Sequence, residues 1–132
     1  MVIADSSAWI EFLRGTPSEV GRRLHALLHA GEIVLMPDVV LQEVLQGARD
    51  PGHFVRLREQ MEEVQPFVPR DPRALAQLAA WLYARCRWQG ITLRSPNDAL
   101  IAACAIDSGE PLLHADVDFE RIATVEPRLR FA

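Results

Sequence analysis

Short apolar runs alternate with longer amphipathic segments along the chain, and this pattern predicts a parallel α/β fold. The runs at 2–4 and 33–36 suit buried strands because each is continuously apolar rather than alternating, and a further strand is predicted at 111–114. Pro66 to Pro69 encloses a short strand at most, and Leu129 and Phe131 alternate in a predicted edge strand. Helices are predicted over 8–14, 17–30, 38–48, 54–64, 72–88, 96–106 and 118–123.

This alternation predicts a three-layer α/β/α architecture. We expect a central, mostly parallel sheet of four to five short strands, flanked by about seven helices. The length of 132 residues fits a single domain spanning 1–132. A sheet of this kind places its site beyond the carboxyl ends of its strands, where the strand order switches direction.

Composition and charge exclude several classes of site. All 14 basic residues are arginine, and the absence of lysine excludes a P-loop, a Schiff-base enzyme and a receiver-domain lysine. The net charge of −4 argues against a module that simply coats nucleic acid, but it is compatible with a nuclease whose acids hold cations. Cys86 and Cys104 fall in predicted helices and are expected to be buried thiols. No apolar run is long enough for a membrane span and the start lacks a signal-peptide pattern, so a cytoplasmic protein is expected.

The segment from Ser95 to Ile106 has the strongest helix-start signal in the chain. Ser95 fits the N-cap and Pro96 the first helical position. Asp98 follows on a face that is otherwise apolar, where a carboxylate is costly unless something compensates it. The segment alone leaves two interpretations open, a capping carboxylate stabilised by the helix dipole or a metal ligand.

Three further acids are predicted near the same edge of the sheet. Asp5 directly follows the first strand, Asp116 follows the strand at 111–114, and Glu43 lies near an apolar helix face. Carboxylates that converge repel one another, and Mg²⁺ or Mn²⁺, which prefer oxygen ligands, resolve that repulsion. Each acid also has a simpler interpretation: a strand end for Asp5, a solvated helix residue for Glu43, and a loop or N-cap position for Asp116. The N-cap interpretation is favoured for Asp118.

Four motifs occur in order along essentially the whole chain: V-I-A-D-S-S-A-W, L-Q-E-V-L, R-S-P-N-D-A-L-I-A-A-C-A and H-A-D-V-D-F-E-R-I-A. Their combination resembles the PIN-domain ribonucleases, and more narrowly the VapC toxins of bacterial toxin–antitoxin pairs. The resemblance implies a PIN-like fold and a Mg²⁺- or Mn²⁺-dependent endoribonuclease that acts on tRNA or rRNA. It also implies inhibition by a cognate VapB antitoxin, homodimerisation, and a hetero-oligomer with that antitoxin.

Carried over motif by motif, the resemblance assigns the metal-binding and catalytic acids as Asp5, Glu43, Asp98 and Asp116. Asp5 and Asp98 would be the principal ligands of one cation, and the other two would complete the site. Ser6 matches the small hydroxyl residue after the first acid, and Asp118 matches an additional acid of less uniform role.

Other polar and aromatic residues give weaker signals. Arg94 and Arg14 are candidates for binding substrate phosphate, although an exposed loop arginine is an equal alternative. His114 is expected to pack at a strand end. Trp81 and Trp88 form a second apolar line on one helix, which favours a partner surface or, nearly as well, a helix wrapped by the core.

Two other functions remain open at this stage. One keeps the fold and assigns a PIN nuclease to RNA maturation or decay, without a toxin role. The other is a non-enzymatic signalling or adaptor domain on a flavodoxin-like sheet, which the missing lysine and the lack of an acid pair beside Asp5 disfavour.

Overall fold

The computed structural model describes all residues from 1 to 132 and has a four-stranded parallel sheet surrounded by seven helices. In chain order the elements are β1 (Val2–Ala4), α1 (Ser6–Arg14), α2 (Glu19–His29), β2 (Val34–Met36), α3 (Asp38–Leu45), α4 (Pro51–Glu62), β3 (Gln65–Pro66), α5 (Pro72–Trp88), α6 (Pro96–Ser108), β4 (Leu112–Leu113) and α7 (Val117–Val125). The α/β prediction is confirmed. None of the helices combines the length and apolarity that crossing a bilayer requires.

The sheet has the strand order β3-β2-β1-β4, with every neighbouring pair parallel. The central strand β1 pairs with β2 through Val2 and Val34, and with β4 through Ile3 and Leu112. The chain moves outward from β1 to β3 and then returns to the other side of β1. This reversal places the switch point between β1 and β4.

The core is a single cluster of 30 buried apolar residues. All residues of β1 and β2 are buried, as expected for strands covered on both faces. Helix α6 is the most deeply buried helix, and five consecutive residues from Ile101 to Ala105 belong to the core. Cys86 and Cys104 are buried and free, as predicted.

The predicted terminal strand is reduced to a single parallel bridge between Leu112 and Phe131. The residues just before it form a turn, in which the Leu129 amide donates to the Glu126 carbonyl, so too few residues remain extended to continue the ladder. His114 packs against Phe119 and Phe131, with ring centroids 5.1 and 4.6 Å away, which confirms the predicted packed strand end.

Several helix starts differ from prediction by one or two residues. Capped by Asp5, α1 begins at Ser6 rather than at residue 8, and α2 begins at Glu19, after its Ser18 cap, rather than at residue 17. Asp38 lies inside the first turn of α3, behind Pro37, and makes no capping bond. In each case a neighbouring residue with extended backbone takes the cap position, a choice that composition alone does not determine. The predicted Ser95 cap of α6 is confirmed.

Candidate metal centre

The acids predicted as ligands meet at the switch point of the sheet. Asp5 leaves the carboxyl end of β1 and Asp116 follows β4, so both lie at the same edge of neighbouring parallel strands. Helix α6 begins at this edge and carries Asp98 in its first turn. Glu43 reaches the same region from α3, the helix that follows β2.

Asp5 is buried and only half satisfied. Its Oδ2 accepts hydrogen bonds from the Ser7 amide at 3.0 Å and from the Ser7 hydroxyl at 2.6 Å. Its Oδ1 is buried and has no hydrogen-bond partner. Burial raises the pKa of Asp5, the Ser7 bonds lower it, and the charge of Asp116 raises it further. An unpaired buried carboxylate oxygen is costly, and a cation is the kind of partner that relieves that cost.

The Ser7 hydroxyl also joins the two loops that carry the acids. It donates to Asp5 and accepts a hydrogen bond from the Ala115 amide at 2.9 Å. Ala115 lies immediately before Asp116, so one side chain fixes the loop after β1 against the loop after β4.

Glu43 is oriented by Ser6, whose hydroxyl donates to Glu43 Oε1 at 3.1 Å. The pKa of Glu43 is raised, first by burial and then by the charge of Asp5, while hydrogen bonds from Ser6 and Asn97 lower it. The solvated-helix interpretation of Glu43 is therefore wrong, because this side chain is part of the acidic cluster.

Asp98 has the largest pKa shift among the carboxylates. Its pKa rises to about 7, first because of burial and then because of the charges of Asp116 and Asp5. Capping of α6 is done by Ser95, whose hydroxyl accepts the Asn97 amide, and Asp98 makes no hydrogen bond back to the cap. The capping interpretation of Asp98 therefore has no hydrogen bond to support it, and the carboxylate is available as a ligand.

The favoured interpretation of Asp118 as an N-cap is wrong. Asp116 caps α7 by accepting the Asp118 amide at 3.0 Å, and Asp118 lies inside the helix, with no exposed side-chain surface. Asp118 Oδ2 accepts from the backbone amide of Arg94 at 3.0 Å and from its Nε at 3.3 Å, and Oδ1 accepts from Arg121 at 3.1 Å. The N-cap of α7 lies two residues before the predicted one, which places Asp118 inside the helix and turns it inward.

Carboxylate oxygens from Asp98, Asp116 and Asp118 lie within 4.8 Å of one another, close enough to bind one ion. Their environments differ, however. Burial alone raises the pKa of Asp118, but the hydrogen bonds and charges of Arg94 and Arg121 outweigh burial and hold it below its usual range. Asp118 already has cationic partners, whereas Asp5, Glu43 and Asp98 are near one another without one. The all-oxygen donor set fits a hard divalent cation.

The sequence profile of the PIN domain matches residues 2–125. The chain belongs to the PIN-domain family. A VapC ribonuclease from Mycobacterium bovis and ribonuclease VapC11 from Mycobacterium tuberculosis are each 35% identical to it over 126 residues. Those matches cover 95% of this chain and 93% of each relative.

Solved structures show the same fold. VapBC-1 from nontypeable Haemophilus influenzae superposes with a TM-score of 0.75 and 20% identity, covering 100% of this chain and 97% of that one. VapBC2 from Rickettsia felis, bound to a promoter DNA fragment, superposes with a TM-score of 0.74 and 18% identity, covering 100% and 98%. The PIN-like fold expected from the motifs is therefore confirmed.

The two arginines predicted to bind substrate lie in different places in this PIN domain. Arg94 is at the acidic cluster, with Nη2 2.7 Å from Asp116 Oδ1. Arg14 is exposed at the end of α1, where it lines a cleft with Arg49 and His53. Phosphate binding remains a prediction for both.

Sequence reasoning missed three supporting residues, Ser7, Asn97 and Arg121. Ser7 had a usable signal in the sequence, because a second hydroxyl directly after Asp5 and Ser6 can orient a ligand carboxylate. Arg121 stands three residues after Asp118, the spacing of an ion pair on one helix face.

Proposed function

We propose that this PIN domain is a divalent-metal-dependent endoribonuclease and the toxin of a type II toxin–antitoxin pair. The observation that carries the proposal is the convergence of Asp5, Glu43 and Asp98 at the sheet's switch point. There the charge of Asp5 raises the pKa of Glu43, both of these acids raise the pKa of Asp98, and Asp5 Oδ1 lacks a partner. The 35% identity to proteins named as VapC ribonucleases supports the activity.

The cation is proposed to be Mg²⁺ or Mn²⁺, held principally by Asp5 and Asp98, with Glu43 and Asp116 completing the site. When bound, it would supply charge stabilisation for in-line attack of water on an RNA phosphodiester. Ser7 keeps Asp5 in one orientation, and Ser6 does the same for Glu43. The N-terminus of α6 fixes Asp98 on a rigid, buried helix, which holds the ligand still.

Asp118 and Arg94 have a different part in this proposal. Asp118 is buried among arginine donors and anchors Arg94, which extends from there to Asp116. Because Arg94 is 68% exposed while still held at two points, its guanidinium is available to an RNA phosphate approaching the acids.

The proposed partner is a VapB-type antitoxin, and the proposed assembly is a homodimer that forms a hetero-oligomer with it. Two observations support this: the VapC relatives match along nearly their whole length, and the fold is that of the VapBC structures. The proposed substrate is tRNA or rRNA, cut at a particular loop.

The test is cleavage of total RNA by purified protein, with and without EDTA, followed by re-addition of Mg²⁺ or Mn²⁺. We expect cleavage that EDTA abolishes and either ion restores, and sequencing of the new RNA ends then identifies the substrate. Undiminished cleavage in EDTA would contradict the metal assignment.

Expression in a host without the antitoxin tests the toxin role. We expect growth arrest that co-expression of the small protein encoded upstream reverses. Harmless expression of a protein that cleaves RNA in vitro would instead favour a nuclease of RNA maturation or decay.

A further inference from the structure

The two tryptophans of α5 form an exposed aromatic pair. Trp81 is 50% exposed and Trp88 is 62% exposed, so the interpretation of α5 as a helix wrapped by the core on this face is wrong. Their rings meet edge to face with centroids 5.6 Å apart. We call Trp81 and Trp88 the aromatic platform.

A fixed arginine supports the aromatic platform. The Arg85 guanidinium lies over the Trp81 ring, 5.8 Å from its centroid. The same guanidinium is held by the Glu126 carboxylate at 3.1 Å and by the Val125 carbonyl. The Trp81 ring therefore lies against a side chain that is itself held in place, which lowers the entropy cost of binding a partner against it.

Basic residues are concentrated in the segment that carries the platform. The segment 72–97 contains four arginines and no acidic residue, whereas the protein as a whole carries −4. Arg85 and Arg94 are paired with acids of α7 and of the residues that flank it. Arg87, beside Trp88, is exposed and makes no ion pair. An exposed aromatic pair beside an unpaired arginine is a combination with which proteins bind single-stranded nucleic acid.

The platform is connected directly to the acidic cluster. Gly90, with φ +78°, ends α5 and reverses the chain, and the Ile91 amide donates back to the Cys86 carbonyl at 2.8 Å. Leu93 is buried and anchors the loop before Arg94 reaches Asp116. Five residues lie between Trp88 and Arg94, so their Cα atoms are at most about 22 Å apart, the length of a few nucleotides.

We infer that the aromatic platform binds single-stranded RNA beside the cleavage site, with bases stacked on Trp81 and Trp88 and a phosphate at Arg87. This inference rests on the proposed function and adds the surface that holds the substrate.

The test measures RNA binding without cleavage, in the Asp5→Asn background. The probe is a fluorescein-labelled 12-nucleotide single-stranded RNA, followed by anisotropy. Trp81→Ala and Trp88→Ala should each weaken binding by at least about fivefold, and Trp88→Phe should restore most of the affinity, because phenylalanine also stacks. Val68→Ala, which truncates another exposed apolar side chain, is the matched control and should change nothing.

Two further readouts distinguish stacking from a general loss of structure. The chain has three tryptophans, and Trp9 is buried, so RNA should quench emission in the parent but not in the double alanine variant, which reports Trp9 alone. The RNA-binding constant falls as salt rises, and each phosphate contact steepens that fall. Arg87→Gln should therefore make the slope of log binding constant against log salt concentration shallower by about 0.7, while Arg58→Gln on α4 should leave the slope unchanged.

The outcomes separate this inference from the proposed function. If wild-type protein cleaves RNA and the double variant binds the oligonucleotide as tightly as its parent, the inference alone is wrong. If that variant also falls from dimer to monomer in light scattering, the platform is a self-interface instead. If the platform binds RNA as described and the wild type cleaves none, the binding surface stands and the nuclease assignment fails.

Discussion

Arg94 binds two carboxylates at once. Its Nη2 donates to Asp116 Oδ1 at 2.7 Å, while its Nε and its backbone amide both donate to Oδ2 of the fully buried Asp118. One arginine thus connects an acid that lies at the surface of the site with one that lies beneath it. The contact also divides the acids into two groups. Asp118 is compensated by arginine, whereas Asp5, Glu43 and Asp98 are compensated by no protein cation.

Replacement of Arg94 should slow RNA cleavage more than it affects folding. Arg94→Gln removes the charge that fixes Asp116 and that faces an incoming phosphate, so kcat/KM should fall by about tenfold or more. Arg94→Lys should recover little of this loss, because an ammonium does not span both carboxylates as a guanidinium does. The measurement is steady-state cleavage of a labelled RNA.

The matched control for Arg94 is Arg22→Gln, which removes an exposed arginine of α2 that makes no ion pair. It should cleave RNA at the wild-type rate. Equal rates for Arg94→Gln and Arg22→Gln would show that the Arg94 bridge has no part in the reaction.

Removal of the Asp98 charge should raise the free energy of unfolding of the metal-free protein near neutral pH, where that carboxylate is ionised, and not at acidic pH. The pKa of Asp98 is raised to about 7 in the folded protein, so folding takes up a proton between about pH 4 and 7 and the carboxylate destabilises the fold above that range. Asp98→Asn should therefore increase the free energy of unfolding at pH 7.5 by about 1–2 kcal/mol, the effect left after solvent screening.

At pH 4.5 the Asp98 carboxyl is protonated in the folded protein, and the variant and wild type should unfold at nearly the same urea concentration. Urea unfolding at the two pH values, in EDTA, measures both expectations. A stabilisation of equal size at pH 4.5 and 7.5 would mean that it does not come from the Asp98 charge.

Loss of the Ser7 hydroxyl should weaken both the fold and the affinity for metal. Ser7→Ala removes the 2.6 Å bond to Asp5 and the acceptor of the Ala115 amide, which should cost about 1–2 kcal/mol of unfolding free energy. Affinity for Mn²⁺ should fall by about tenfold, because Asp5 is no longer held in one orientation. Calorimetry with Mn²⁺ measures the second effect.

Thr92→Ala provides the comparison for Ser7, because it deletes an exposed loop hydroxyl that makes no hydrogen bond. Wild-type Mn²⁺ affinity in both variants would mean that Ser7 does not orient a ligand.

The sequence was sufficient to predict the fold class, the positions of β1, β2 and β4, and the Ser95 cap of α6. Continuous apolar runs identified β1 and β2 because both strands are covered on both faces. It could not predict the position of Asp118, since a shift of two residues in the N-cap of α7 decides whether that side chain is a solvated cap or a buried anchor. Helix boundaries depend on local capping contacts that the periodicity does not encode.

The motifs predicted the acidic cluster. They did not predict that arginines neutralise some of its acids and leave others without a cationic partner. Asp98 and Asp118 have the same side chain, yet burial raises the pKa of one and arginine donors lower the pKa of the other. That difference comes from Arg94, which is 24 positions from Asp118 in sequence, and from the fold that brings them together.

The central claim is that Asp5 and its neighbours hold a divalent cation that RNA cleavage requires. The most direct measurement is the rate at which purified Asp5→Asn protein cleaves RNA in saturating Mn²⁺, compared with wild type at equal concentration and equal helical content by circular dichroism. The account predicts a rate at least about a hundredfold lower, because the substitution removes a charge from the cation site and keeps the shape of the side chain. Cleavage by Asp5→Asn at the wild-type rate would contradict it.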